Sequence, residues 1–304
     1  MSVAVVGSIN MDVVARVPRI PGPGETLLAS GSSRGGGGKG ANQVVAAARA
    51  GGAPAAFIGA IGDDADGAQL RALLEADGID VSGLSLSPEQ TGVALIAVAD
   101  DAENAIIVVP GANGALQGLE AHQRELVAAA DVVAAQLEIP VPLVVAAAEA
   151  RSEGALFVLN AAPSAPLADA ETAARVLPLV DVLIVNEHEL TDIAATADRE
   201  AAIEALASRV PALVVTLGAS GSIVVLGSER ATVPAFRVDP VDTTGAGDTF
   251  CGVLAARLGR GPLSLDALAA AARAGAAASA IAVTRVGAQA AVPTAAEVEA
   301  LLAR

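Results

Sequence analysis

Short apolar runs recur along the chain, and polar or glycine-containing turns separate them. Residues 3–7 (VAVVG), Ala55–Ile61, Val132–Leu137, Ala155–Asn160, Val182–Asn186 and Leu213–Leu217 each read as a buried strand. Helix-like stretches at Ala65–Ala76, Leu116–Ala129 and Val141–Arg151 fall between them. Strands that alternate with helices over short connections predict a mainly parallel α/β sheet flanked by helices.

Two segments break this rhythm. Residues 13–34 alternate weakly and contain Pro18, Pro21, Gly22 and Pro23, so short strands joined by a turn fit better than a helix. Gly92–Ala99 and Asn104–Val109, joined by Asp100–Glu103, form the clearest hairpin pattern in the chain. Together they predict a separate small sheet.

Glycine then marks two turns. Gly37–Asn42 (GGKGAN) opens a helix expected to run to Gly51 and Gly52, both read as left-handed caps. A nucleotide P-loop does not fit there, because its spacing requires glycine at Ser33 and Ser or Thr at Gly40. Farther on, a strand-like run at Thr232–Val238 precedes Asp242–Phe250 (DTTGAGDTF), and Phe250–Leu258 is apolar. The expected order is strand, glycine-rich turn, helix. Gly245, Ala246 and Gly247 carry little side chain, so backbone N–H groups from Gly245 to Asp248 can converge at a helix N-terminus, which suits an anion. Asp248 falls in the first helical turn, where the helix dipole favours a carboxylate. A base beside an anion hole fits phosphoryl transfer, which needs a proton acceptor for the attacking hydroxyl and fixed donors for the transferred group. A tight turn capped by aspartate also explains Gly-Ala-Gly-Asp; the full nine residues are more specific.

Composition narrows the classes. The chain has 304 residues, 53% of them hydrophobic, without an uninterrupted apolar run of membrane-helix length. No basic n-region or small-residue cleavage site precedes VAVVGSIN, so a soluble, cytoplasmic protein is expected. The formal charge of -16 argues against a nucleic-acid partner, although a few local donors can still hold a small anion. The single lysine, Lys39, lies within GGKGAN, where a compact ammonium suits a hydroxyl or phosphate site. One cysteine, Cys251, excludes an internal disulfide and reads as a buried packing residue. His122 is expected on a solvated helix face, and neither it nor His188 has the partners of a Ser-His-Asp hydrolase.

With DTTGAGDTF, GGKGAN, the N-x-D step of Asn10 and Asp12 and the N-x-x-E step of Asn186 and Glu189 in this order, the chain from Val3 to Pro293 resembles the ribokinase-like (PfkB) family of sugar kinases. The resemblance implies a three-layer sandwich whose core spans residues 1–12, 37–90 and 112–304. Residues 13–36 and 91–111 would form a β lid over the sugar that also makes a homodimer contact. It implies that Asn10, Asp12, Gly38, Lys39, Asn42 and Glu138 bind the sugar, that Asp248 is the general base, and that Gly245, Ala246 and Gly247 form the anion hole. Asn186, Thr216, Gly218, Gly221 and Gly247 would meet the nucleotide, and Glu189 would reach Mg2+ through water, as that hard cation prefers. Asp242, Thr244, Val283, Val286 and Gly287 would hold a monovalent cation, K+, as activator.

TGVALI (Thr91–Ile96) and PGAN (Pro110–Asn113), with GGKGAN, favour D-ribose as acceptor and ATP as donor, with phosphorylation at the 5-hydroxyl. Two departures stand out. Asn160–Pro163 reads NAAP where relatives usually read NPAP, and Gly275 and Ala276 are small and apolar where relatives commonly place His or Asn near the adenine. Nucleotide preference is therefore left open. The alternatives are a related kinase for another sugar or a nucleoside, and a sugar- or nucleotide-binding regulator without turnover.

Overall fold

The computed structural model describes residues 1–101 and 103–304; Ala102, in the expected turn Asp100–Glu103, lies outside the described residues. The first third of the chain runs β1 (Val3–Val6), β2 (Asn10–Val17), β3 (Gly31–Gly37), α1 (Lys39–Val45), β4 (Ala55–Gly62), α2 (Ala65–Ala76), β5 (Asp80–Ser87), β6 (Gly92–Ala99) and β7 (Asn104–Val109). It continues through α3 (Ala121–Ala129), β8 (Val132–Ala135), α4 (Val141–Ala150), β9 (Leu156–Asn160), α5 (Ala165–Ala168), α6 (Ala170–Val176), β10 (Val182–Asn186), α7 (Glu187–Ala194), α8 (Arg199–Ala207) and β11 (Ala212–Thr216). The antiparallel strands β12 (Ser222–Leu226) and β13 (Glu229–Val233) precede α9 (Ala246–Arg257), α10 (Leu265–Ala282) and α11 (Ala295–Leu302).

Nine strands form the main sheet in the order β13-β12-β11-β10-β9-β8-β1-β4-β5. All neighbours are parallel except at the β11-β12-β13 edge. Side chains alternate across it: in β1, Val3 and Val5 enter one core while Ala4 and Val6 enter the other. Val44 of α1, Leu74 of α2, Val253 of α9, Leu268 of α10 and Val298 of α11 fill the first core; Val127 of α3, Leu143 of α4 and Leu190 of α7 fill the second. Burial on both faces explains why these strands are continuously apolar. A second sheet has the order β3-β2-β6-β7, with β2 and β6 parallel and the outer pairs antiparallel. By length and composition α10 is the one helix among the described residues that could span a membrane, but half of it is buried in the core against α9.

Four boundaries differ from expectation. The strand expected at Thr232–Val238 ends at Val233, because Pro234 cannot donate to the ladder, and irregular chain then runs to α9. The helix opened by GGKGAN is regular only to Val45; Ala46–Ala50 form a wider turn in which Gly51 N–H donates to the Ala46 carbonyl at 2.9 Å. Only Gly52 is left-handed there (φ 70°), whereas Gly51 is right-handed (φ -77°). α3 starts at Ala121 rather than near Leu116, where Glu120 and Gln123 cap its first turn reciprocally. The small sheet is wider than residues 13–36 and 91–111, since β2 begins at Asn10 and β3 ends at Gly37.

One crossing sets the site. α9 packs on α1 with Gly252 against its backbone: a Cβ there would lie 2.1 Å from the Gln43 carbonyl oxygen and 2.8 Å from Ala46 Cβ. Gly252→Ala must separate the helices, and is expected to lower unfolding free energy by about 1–3 kcal/mol in urea titrations.

Candidate active site

β1 and β8 are neighbours, yet their onward connections leave in opposite directions along the sheet, one toward β4 and one toward β9. Such a switch point leaves a crevice at the carboxyl ends of the strands. Ser8, just past β1, donates its hydroxyl to Glu138 Oε2 at 2.6 Å. Lys39 N–H donates to the same oxygen at 3.1 Å, which anchors the start of α1 beside β8. Gly38 is left-handed (φ 86°) and makes the sharp entry to that helix. Asn113 Nδ2 donates to Asn10 Oδ1 at 2.7 Å, and Asn113 Oδ1 accepts from Ile9 N–H at 2.9 Å. Asn10 therefore retains its amide donors for a ligand, while its oxygen serves the fold.

Asp248, buried in the first turn of α9, faces α1. Its Oδ2 accepts from Asn42 Nδ2 at 2.9 Å and its Oδ1 from Gln43 Nε2 at 3.3 Å. Gln43 also donates to Asn160 Oδ1 at 3.1 Å. Asn42 Oδ1 is buried without a protein partner, an acceptor left for a hydroxyl. Gln43 and Asn113, not among the expected site residues, hold Asp248 and Asn10 in place. Gln43 had one signal, a polar residue next to Asn42 on an otherwise apolar helix.

Charge is concentrated here. Asp248 holds the Lys39 ammonium above its ordinary value against the opposing effect of burial, with Glu138 and Glu189 adding to the pull. Burial pushes the Asp12 carboxyl up to about 7, and the neighbouring Glu138 and Asp248 carboxylates contribute. Burial also raises Glu189, which the Asn186 N–H and Lys39 partly offset. Asn186 and Glu189 form a reciprocal cap on α7: Glu189 N–H donates to Asn186 Oδ1 and Asn186 N–H to Glu189 Oε2, each at 2.8 Å. The motif letters thus carry a helix cap as well as a face toward the cavity. Cys251 is buried and burial drives its thiol well up, so it packs as a neutral side chain. His122 and His188 sit on the surface beside Glu120 and Asp192, outside the site.

Gly245 takes a left-handed conformation (φ 72°) that turns the chain into α9, so that Ala246 and Gly247 open the helix. Their N-terminal end stands between two cavities. A small polar one of about 150 Å³ is lined by Lys39, Asn160, Asn186, Glu189 and Asp248. A larger one of about 790 Å³ is lined by Gly218, Gly221, Phe250, Ala276 and others, and both share Thr216, Thr243, Ala246 and Gly247. Asp242 ties the approach to this turn: Oδ1 accepts from Thr244 N–H and Oδ2 from Gly287 N–H, both at 2.9 Å. Burial works to raise the Asp242 carboxyl, but these bonds outweigh it and hold it below the ordinary value. The Val283 carbonyl accepts the N–H groups of Val241 at 2.7 Å and Asp242 at 3.1 Å, which ties the chain before this turn to the end of α10. Among the described residues no group of three or more His, Cys, Asp or Glu side chains is arranged to hold a metal.

The model of the pfkB family carbohydrate kinases matches residues 1–295, both sheets and both cavities included. The chain belongs to the pfkB family. Its sequence is 39% identical over 303 residues to a ribokinase of Haemophilus influenzae, covering 96% of this chain and 95% of the relative. Its fold is similar to that of a ribokinase from Thermotoga maritima, with a TM-score of 0.88, 34% identity and 99% of each chain covered. It is also similar to an Arabidopsis thaliana ribokinase solved with ribose and ATP, at a TM-score of 0.85 and 30% identity over 99% of this chain and 98% of the other. As in other pfkB proteins, the mixed sheet and the small sheet form one ribokinase-like architecture.

Asp12 gives this site a pH signature. Its carboxyl titrates near 7 in the folded chain against 3.8 for an ordinary aspartate, so the folded state holds a proton that the unfolded state releases between those values. The associated stability is complete below about pH 4 and is lost as pH rises through about 7. Ligand-free protein is expected to melt a few degrees lower at about pH 8 than at about pH 6 by scanning calorimetry, and Asp12→Asn should flatten that slope.

Proposed function

We propose that the protein transfers the γ-phosphoryl group of ATP to the 5-hydroxyl of D-ribose. The observation that carries this reading is the placement of Asp248: a buried carboxylate at the N-terminus of α9, held by Asn42 and Gln43 in the crevice that Lys39 and Asp12 also face. The full-length similarity to ribokinases supports the choice of acceptor and donor.

In this mechanism Asn10, Asp12, Gly38, Lys39, Asn42 and Glu138 bind and orient the sugar. The 5-hydroxyl gives its proton to Asp248 as its oxygen bonds to the γ-phosphorus; the bond to the β-phosphate oxygen breaks, and its electron pair leaves with ADP. Backbone N–H groups at Gly245, Ala246 and Gly247 meet the charge on the transferred group, at fixed positions that need no reorganisation. Asn186, Thr216, Gly218 and Gly221 flank the nucleotide. Positioning supplies much of the rate, because the transition state is loose. Glu189 would hold Mg2+ through water, and the ion would supply positive charge beside the nucleotide phosphates. K+ would sit at Asp242, Thr244, Val283, Val286 and Gly287.

The small sheet acts as the lid over the sugar and as the homodimer contact. Its edge strand β7 exposes Ile106, Ile107, Val108 and Val109, apolar on both faces, an edge that free proteins usually protect. Ile107→Asp is expected to convert a dimer to a monomer in sedimentation velocity.

ADP release from ATP and Mg2+ should be strong with ribose and weak with deoxyribose, fructose or adenosine, and stronger in K+ than in tetramethylammonium. Preference for another acceptor would keep the mechanism and change the substrate. Asp248→Asn should lower kcat by about 10²–10⁴ with the thermal midpoint nearly unchanged; near-normal turnover in that folded variant would remove the base assignment.

A further inference from the structure

The larger cavity carries an inference that rests on the ATP-dependent reading above. It adjoins the N-terminus of α9, where the phosphates are placed, so it is the space open to the base and sugar of the nucleotide. Its inner wall is apolar: Ala235, Phe236, Phe250, Ala276, Ala280 and Val283. Two of the three hydroxyls that line the cavity are turned to the backbone, and the third, Thr243, is shared with the small cavity on the phosphate side. Ser279 Oγ donates to the Ala246 carbonyl at 2.7 Å, and Thr216 Oγ1 to the Val185 carbonyl at 3.3 Å. Gly275 cannot supply a polar group either, since a Cβ there would sit 2.8 Å from the Phe250 carbonyl oxygen and 3.0 Å from its ring. The charged lining residues, Arg237 and Asp239, are exposed to solvent. Phe236 itself lies under the Arg273 guanidinium, 5.0 Å from ring centroid to carbon.

We propose that the protein selects a nucleoside triphosphate by its phosphates and the flat apolar faces of its base, without reading the polar edge of the base, and therefore uses GTP and ITP as phosphoryl donors nearly as well as ATP. Sites that hydrogen-bond a substrate group reject analogues lacking it by factors of about 10⁴–10⁵, whereas apolar walls discriminate between isosteres by about 10² or less. The wall described above is of the second kind. Ala276 is the position that sets it, because its side chain faces the cavity beside the closed Gly275.

The test combines turnover with binding on the full-length protein. With ribose as acceptor, kcat/KM is measured for the Mg2+ complexes of ATP, GTP and ITP, and dissociation constants for the same three are measured by isothermal titration calorimetry. Ratios within about tenfold are expected; ATP preferred by more than about 10² in both readouts overturns the proposal. Ala276→Asn, which adds an edge-reading amide, should raise the ATP-to-GTP ratio several-fold in binding, and an unchanged ratio would count against the assigned wall. If no sugar is phosphorylated with any donor, the kinase reading fails while the binding ratios still decide this one. Failure to bind any of the three nucleotides overturns it.

Discussion

Asp248 depends on a single helix crossing. A buried carboxylate is costly without compensating donors, and here they come from Asn42 and Gln43, more than two hundred residues earlier in the chain. Those amides reach it only because α1 and α9 pack backbone to backbone at Gly252. The same crossing fills the first core with Val44, Val45, Val253 and Leu254. Orientation of the proposed base is therefore a product of core packing and not of a flexible loop. This suits a group that must stand within hydrogen-bond reach of one hydroxyl.

Around that carboxylate the charges do not balance. Asp248, Glu138 and Glu189 act on the single ammonium of Lys39, while burial, with neighbouring carboxylates adding to it, raises Asp12 and Glu189. A polyhydroxy acceptor supplies neutral donors to these oxygens, and a metal-bearing nucleotide supplies positive charge beside them. Ligand binding thus relieves repulsion that folding leaves in place. Lys39 is the one lysine in a chain whose other cations are arginines, and its point charge can answer several carboxylates at once, whereas a guanidinium fork is shaped for one.

Much of this was legible because it is local. The continuously apolar strands announced a sheet covered on both faces, and DTTGAGDTF announced a turn into a helix, since a left-handed Gly245 and small neighbours are properties of consecutive residues. What depended on distant partners was not. Gln43 meets Asp248 only because α9 lies across α1, and the exchange between Asn10 and Asn113 joins positions about a hundred residues apart. The strand before the glycine turn was drawn too long because Thr232–Val238 is apolar in pattern, while Pro234 ends the ladder and frees the chain to wrap the larger cavity.

Compartments that bind different ligands are joined through the small sheet. β2 carries Asn10 and Asp12 toward the crevice and, four residues on, Arg16, whose charge helps depress Asp242 in the loop that leads to α9. β3 meets the same region from the other side, with Gly36 lying against the Gln289 side chain. Since β2 is paired with β3 from Asn10 to Arg16 and with β6 from Asn10 to Val17, it cannot move without them. Any motion that closes the small sheet over a sugar must therefore act as one body and must also press on the loop that sets the anion turn. If the small sheet closes over the sugar as proposed, acceptor binding would then be coupled mechanically to the turn that opens α9, a defence against spending ATP on water.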